Sequence, residues 1–298
     1  MPELPEVETV VRGLRASLPG RFIREVRLGK TDFIDDPVAL TERLPGCRIA
    51  GVTRLGKFIC IGLDPAIEFK PNGSVASPGE CLNLIIHLGM TGQLTVRHPG
   101  DQVAGHTHCF FSLDDHSELR YTDIRRFGRM LLVSESGLAA FQNHFGAEPL
   151  EITLEEFRAR FGSRRARVKA LLLDQSVLRG VGNIYADESL FRARIHPARI
   201  AASLAQKQLT ELHRAVREVL TAAIRLRGSS ISDYVDAEGN NGEFQLRHRV
   251  YQRESKPCVR CKQKIRRMIV AGRSSHYCPR CQPAPRTRKA RNKKIKKA

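Results

Sequence analysis

No run of eighteen or so consecutive apolar residues occurs in this 298-residue chain, and no charged-then-apolar leader opens it. A membrane-spanning or secreted protein is therefore not expected. Acid is also scarce: 31 Asp and Glu stand against 50 Lys and Arg, a formal net charge of +19. So much uncompensated cation attracts phosphate, which points to a polyanionic partner. Nucleic acid and an anionic membrane surface both satisfy that condition, and the missing apolar span disfavours the membrane. Part of the excess is a tail, Pro285 to Ala298, with eight positive residues and no acid, and subtracting those eight from +19 leaves +11 for residues 1–284. The body of the chain is basic by itself, and the tail reads as a solvated, disordered extension. No internal repeat is present.

A disulfide framework is lacking too. Of eight cysteines, Cys47, Cys60, Cys81 and Cys109 stand singly in apolar or strand-like stretches and read as reduced, buried small hydrophobes. The other four form Cys258-Val-Arg-Cys261 and Cys278-Pro-Arg-Cys281, separated by the sixteen residues 262–277. Each CxxC makes a tight knuckle, and this separation suits one four-thiolate zinc ion. Closure by four thiolates leaves no open position, so the expected zinc is structural. Between the knuckles, Arg267–Val270 and Ser275–Tyr277 read as strands joined through Ala271–Ser274, a hairpin that presents Arg273 at its tip. With Arg266 and Arg267 beside it, the hairpin is expected to contact DNA.

Hydrophobic periodicity divides the chain. Val7, Val10, Val11 and Leu14 recur at i, i+3, i+4, i+7, which predicts a helix at the N-terminus. From Phe22 to about Ser134 short β-rich runs such as 58–61, 83–88 and 129–133 predict a sandwich or barrel, and Asp64–Glu80 reads as a long surface loop. Helical spacing returns from Leu154, most clearly in Leu209, Leu212, Val216, Val219, Leu220 and Ile224. Residues 145–150 read as a hinge between the two parts, and the Gly-, Ser- and Asn-rich stretch 228–247 as mobile. The expected fold is multidomain α+β: a helix plus β-sandwich over 1–145, a helical domain over 146–247, a zinc ribbon over 248–284, and the basic tail 285–298.

The stretch Met1-Pro2-Glu3-Leu4-Pro5-Glu6 bears most on chemistry. A small second residue permits removal of Met1, which leaves Pro2 with a free secondary amine. Alone the pattern is ordinary, since proline suits a first helical turn and acids complement the helix dipole. Lys57 falls at a turn between two β runs, where a lysine is usually just solvated.

Five separated segments change that weighting: PELPEVETVVRGL at 2–14, HLGMTG at 87–92, DIRRFG at 123–128, GVGNIYADE at 180–188 and the paired CxxC motifs. Together and in this order they resemble the formamidopyrimidine-DNA glycosylase family across nearly the whole chain. The resemblance implies a sandwich with an N-terminal helix, a helix-two-turn-helix domain and a zinc finger. It implies a bifunctional glycosylase and lyase that removes oxidised purines from double-stranded DNA, a monomer of the bacterial cytoplasm and nucleoid with one zinc ion. Pro2 would be the nucleophile, a role for which a secondary amine is suited because it yields a cationic iminium. Glu3 would act as general acid and base, Glu6 would support the site, and Lys57 would position the sugar through a phosphate or the lesion.

An everted nucleotide leaves a gap in the stack. Met90, Arg125 and Phe127 match the residues that fill it, the first and last replacing stacking and the arginine meeting the orphaned base. His87, Asn183 and Arg273 complete the expected DNA contacts, with Asn183 and Arg273 on phosphate; Lys169 and Tyr185 match less specifically. The nearest rival is an endonuclease VIII-like enzyme acting on oxidised pyrimidines, against which the LPEVE wording and Arg125-Arg126-Phe127 speak. A DNA-binding homologue without catalysis is a second rival, opposed by intact Pro2, Glu3 and Lys57. The chain departs from the family in the 64–80 stretch, in its tail and in Ile124, where proline is commoner, and the resemblance assigns no base-reading residue in 228–245.

Overall fold

A computed structural model describes residues 1–65, 79–231 and 234–285. The apolar face read from the sequence becomes helix α1, Leu4–Ser17, in which Val7, Val10, Val11 and Leu14 are each at most 1% exposed. Leu18 N–H closes the last turn on the Leu14 carbonyl, and Gly20 follows in a left-handed conformation. Burial extends over all of the first eight residues of α1, polar Glu6, Glu8 and Thr9 included. The helix is a shared wall, with a β-sandwich on one side and the longest helix of the second domain on the other.

The sandwich consists of two four-stranded antiparallel sheets. One orders β1 (Ile23–Leu28), β6 (Thr107–Leu113), β7 (Glu118–Thr122) and β5 (Gln93–Arg97); the other orders β2 (Arg48–Leu55), β3 (Phe58–Asp64), β4 (Leu82–His87) and β8 (Arg129–Ser134). Their inward residues, Ile61, Ile86, Phe111 and Tyr121 among them, form one core with the apolar face of α1. Short helices α2 (Pro37–Arg43) and α3 (Glu135–Gln142) flank the sheets. Cys47, Cys60 and Cys109 are buried whereas Cys81 is only half-buried, and burial pushes the Cys60 thiol up to about 11, as for an inert packing group.

The second domain contains α4 (Leu154–Gly162), α5 (Val168–Leu173), α6 (Asn183–Arg192) and α7 (Gln206–Arg225). The six-residue row predicted for α7 is buried throughout, in a core shared with Phe157, Leu172 and Leu190. The ribbon hairpin pairs β9 (Arg266–Val270) with β10 (Arg273–Tyr277). Its turn is tighter than the sequence suggests. Ala271 and Gly272 both have positive φ (50° and 69°), as a two-residue hairpin turn of the favoured hand requires, so Arg273 opens the second strand. Most of the 64–80 stretch, residues 66–78, and the tail from 286 lie outside the described residues.

Residues 145–150 are pinned and do not form the expected hinge. Gly146 and Ala147 N–H groups donate to the Gln175 and Val177 carbonyls, and Glu148 is buried against two arginines. Arg54 on β2, its side chain 8% exposed, donates to Glu8 of α1 at 2.9 Å and to both oxygens of Glu148 at 3.0 and 3.1 Å, while Arg179 adds a further bond to Glu148. One guanidinium thus joins the sandwich, α1 and the second domain. Replacing Arg54 by Met strands two buried carboxylates, each left with one other arginine. A loss of about 3 kcal/mol is expected in urea unfolding, the low end for a broken buried pair; a loss below about 1 kcal/mol would show that the two domains do not depend on it.

Candidate active site

Glu3 caps α1 from an extended backbone, and its carboxylate reaches a second helix. It turns to the start of α6 and accepts from the N–H groups of Gly182 at 2.9 Å, Ile184 at 3.0 Å and Tyr185 at 3.4 Å. The unpaired donors and positive dipole end of α6 make this a natural anion site. Approach this close requires glycine: a Cβ on Gly182 would lie 2.3 Å from the Glu3 carboxyl carbon. The GVGNIYADE segment therefore has a local meaning, since its second glycine admits a residue 179 positions away.

Above Glu3 opens a cavity of about 500 Å³. Met1, Pro2, Glu3, Glu6, Lys57 and Met90 line it from the first domain; Asn183 and Arg273 line it from the second domain and the ribbon. Lys57 projects from the β2–β3 turn, is 8% exposed, and has no hydrogen-bonding partner among the described residues. Burial lowers its ammonium below the usual value, opposed by Glu3 and assisted by Arg273. The amine at the head of the chain is likewise lowered by burial, against the pull of Glu3 and Glu6. Burial raises Glu3 above the ordinary carboxyl value, against Lys57 and the N–H donors of Ile184 and Tyr185. The site thus shifts an amine towards its free base and a carboxyl towards its acid, and both face one space.

Glu6 is a buried hub. Its carboxylate accepts from Glu3 N–H at 2.8 Å, Ser229 N–H at 2.7 Å and the Tyr185 hydroxyl, and the Tyr234 hydroxyl donates to its backbone carbonyl at 3.2 Å. Burial, then the charge of Glu3, push the Glu6 carboxyl up to about 7. These bonds anchor the 228–245 segment over the cavity. Its ends are also closed, by Glu243 N–H to the Leu226 carbonyl and Phe244 N–H to the Gly228 carbonyl, so its described residues form a tied loop. Ser229, Ile231 and Tyr234 from this loop, with Leu173 and Tyr251, line the cavity too. Sequence reasoning missed all five, because no periodicity or spacing distinguishes them. Asn183 presents a buried amide oxygen with no partner among the described residues.

Beside the cavity, two loops display the residues expected to open a duplex. Asp123 is fully buried and accepts from the Thr91 and Tyr121 hydroxyls and from the N–H groups of Arg125 and Gly128. It thereby joins the 88–92 and 123–128 turns. A Cβ at Gly128 would lie 1.8 Å from the Tyr121 hydroxyl, so only glycine closes the second turn. Outward from this anchor, Met90 is 41% and Phe127 54% exposed, and the Arg125 guanidinium stacks 4.5 Å from the Phe127 ring centre. His87 differs: its ring packs 4.9 Å from Phe58, its Nδ1 accepts from Gly89 N–H, and it does not line the cavity. Burial, then Lys57, lower its imidazole to about 4, so at neutral pH it shapes the Met90 turn as an uncharged group.

Lys169 also departs from the expectation of a DNA contact. It is fully buried, paired with Asp187 at 2.6 Å and donating to the Ser274 carbonyl at 2.7 Å. Asp187 accepts in turn from His276 N–H at 2.8 Å. The pair ties α5 and α6 to β10 and so fixes Arg273 at the cavity rim. In the ribbon, the four sulfurs of Cys258, Cys261, Cys278 and Cys281 lie within 4.8 Å of one another. Their closest approaches, 3.4 and 3.9 Å, bracket the roughly 3.8 Å between thiolates in a tetrahedron around zinc.

Residues 1–130 match the formamidopyrimidine-DNA glycosylase N-terminal domain, residues 145–235 its H2TH domain, and residues 255–284 the zinc finger found in FPG and IleRS. Formamidopyrimidine-DNA glycosylases of Solibacter usitatus and Herpetosiphon aurantiacus are 45% and 42% identical, each over 95% of this chain and 99–100% of their own length. The chain belongs to the formamidopyrimidine-DNA glycosylase family. Lactococcus lactis Fpg in complex with abasic-site DNA superposes with a TM-score of 0.83 at 31% identity, covering 95% of this chain and all of the other. The same enzyme with DNA containing an oxidised pyrimidine gives 0.82 at 30% identity. As a family member the protein is a DNA glycosylase of base excision repair, and its four ribbon thiolates hold one structural zinc.

Two outcomes follow for this glycosylase. The folded chain holds a proton on Glu6 between about pH 4.5 and 7 that the unfolded chain releases, so this contribution to stability is whole below 4.5 and lost as pH rises through 7. Glu6→Gln cannot lose it. The stability of the variant relative to wild type should therefore grow between pH 5 and 8, by on the order of 3 kcal/mol; parallel profiles would contradict the buried acid. Chelating the zinc should weaken duplex binding by about tenfold or more while the sandwich amides keep their protection from hydrogen exchange. Unchanged binding, or exchange spreading into β3 and β4, would refute that division.

Proposed function

We propose that this glycosylase excises oxidised purines from duplex DNA and then cuts the strand, with the amine of Pro2, exposed by loss of Met1, as nucleophile. The observation that carries the reading is the single cavity in which the chain head, Glu3 and Lys57 meet, beside exposed Met90, Arg125 and Phe127. The three loop residues hold the gap open once the nucleotide swings out, and Asn183 and Arg273 grip phosphate on either side. The chain acts as a monomer on damaged DNA in the bacterial cytoplasm.

A Pro2 amine meets the surroundings that favour an uncharged amine at the chain head. Its lone pair attacks the sugar C1′, the bond from C1′ to the damaged base breaks, and the base leaves with the electron pair and takes up the proton that the newly bonded proline nitrogen sheds. Glu3, whose carboxyl holds its proton more tightly than usual, delivers it to the sugar ring oxygen as the ring opens to an iminium. The cation acidifies C2′. Loss of a C2′ proton expels the 3′ phosphate, and a second elimination expels the 5′ phosphate. Lys57, close enough to Glu3 for their charges to interact, sets the sugar through its phosphate.

Oxidised pyrimidines are the second reading, favoured by the L. lactis Fpg complex with DNA of that kind. A panel of duplexes carrying 8-oxoguanine, formamidopyrimidine or an oxidised pyrimidine separates the two, and the proposal expects the purine lesions to be cut at least about tenfold faster at equal enzyme. Preference for the pyrimidine would overturn it. Glu3→Gln should bind lesion duplex yet lose at least about a hundredfold in excision, and near-normal excision would remove Glu3 from the mechanism. Pro2→Gly should impair excision and strand cutting together.

A further inference from the structure

A second cavity lies apart from the lesion site. It measures about 900 Å³, and no residue lines both. Asn183, at the lesion cavity, opens α6, whereas Phe191 and Arg192, at the second cavity, end it. A rise of 1.5 Å per residue separates those ends by about 13 Å. The second cavity is walled by the exposed flank of α7, the turn at 244–249 and the ribbon knuckle at Val259 and Arg260.

Its charge is one-sided. Arg217, Arg225, Arg247 and Arg249 are exposed at the rim, and their guanidinium groups have no ion pair or hydrogen bond among the described residues. The two acids of the lining are already engaged. Glu188 is 3% exposed and accepts from the N–H groups of Arg249, Val250 and Tyr251, while Glu218 pairs with Arg192 and Arg214. The floor is apolar, built from Phe191, Val219, Leu226, Phe244 and Val259. Arg260 fixes the knuckle to this floor by donating to the Phe191 carbonyl at 2.8 Å and stacking 4.4 Å from its ring centre.

We propose that this cavity is a docking site for an acidic peptide segment of a partner protein, one that inserts an apolar side chain between carboxylates. A concave apolar floor releases water only to an apolar group, which the ridge of a duplex does not offer, and the ring of unpaired arginines needs anions around that anchor. Because α6 lies between the two cavities, the segment binds while the glycosylase is on DNA. The site recruits a partner to an enzyme already at a lesion.

The test uses the full zinc-bound chain and a fluorescein-labelled peptide of about twelve residues, glutamates flanking two phenylalanines, read by polarisation with and without saturating lesion duplex. Binding should persist on the duplex complex. It should fall at least about tenfold for the peptide with every Glu replaced by Gln, for the double variant Arg217→Glu, Arg225→Glu, and for Ala222→Trp, which fills the cavity from the exposed face of α7; base excision should be unchanged in both variants. Ala222→Trp keeps the test decisive should the charge reversals disturb folding. Absence of binding, displacement of the peptide by duplex, or wild-type affinity in the variants would overturn the proposal. Loss of duplex affinity without loss of peptide affinity would assign the arginines to nucleic acid and overturn it as well.

Discussion

The Glu3 carboxylate is buried in the open end of α6, and much of the structure is arranged around that contact. A charge 3% exposed is costly unless it is fully hydrogen-bonded, and here the donors are backbone groups that a helix start leaves unpaired. The contact brings the first residues of the chain against a helix more than 170 residues later, and it needs Gly182 to do so. It also places the chain head at the wall of the cavity. Loop, turn and ribbon residues then converge on a point set by the pairing of α1 with α6.

Rigidity around that point comes from buried polar groups that bind several elements at once. Asp123 holds two exposed loops, Glu6 holds the covering segment, and the Lys169–Asp187 pair holds the hairpin that carries Arg273. Each anchor is buried while the groups it orients are exposed or face the cavity. Such a division lets the presented side chains meet a ligand without loosening their support. Arg54 does the same on a larger scale by joining three elements through two carboxylates.

Local pattern made much of this legible in advance. The apolar faces of α1 and α7, the strands and the zinc knuckles all follow from spacing within a few turns of chain, and the resemblance in motif order supplied the residues that meet at the cavity. What escaped depends on distant pairings. Lys169 reads as a candidate DNA contact until Asp187 and Ser274 are seen to enclose it. Residues 145–150 have a hinge's composition, yet Arg54 and the 175–177 carbonyls lock them. Ser229, Ile231 and Tyr234 belong to the site through a loop closure that leaves no periodic trace. Glu3 itself looks like an ordinary first-turn acid, and only tertiary structure shows that it reaches a second helix.

The central claim, that the chain begins its chemistry from the amine of Pro2, is tested most directly by borohydride reduction of the enzyme on lesion duplex, followed by mass mapping of the linked peptide. The account predicts one covalent adduct, on the N-terminal peptide, with Met1 absent and the sugar carbon joined to the proline nitrogen. An adduct on Lys57, or turnover with no trappable adduct, would contradict it.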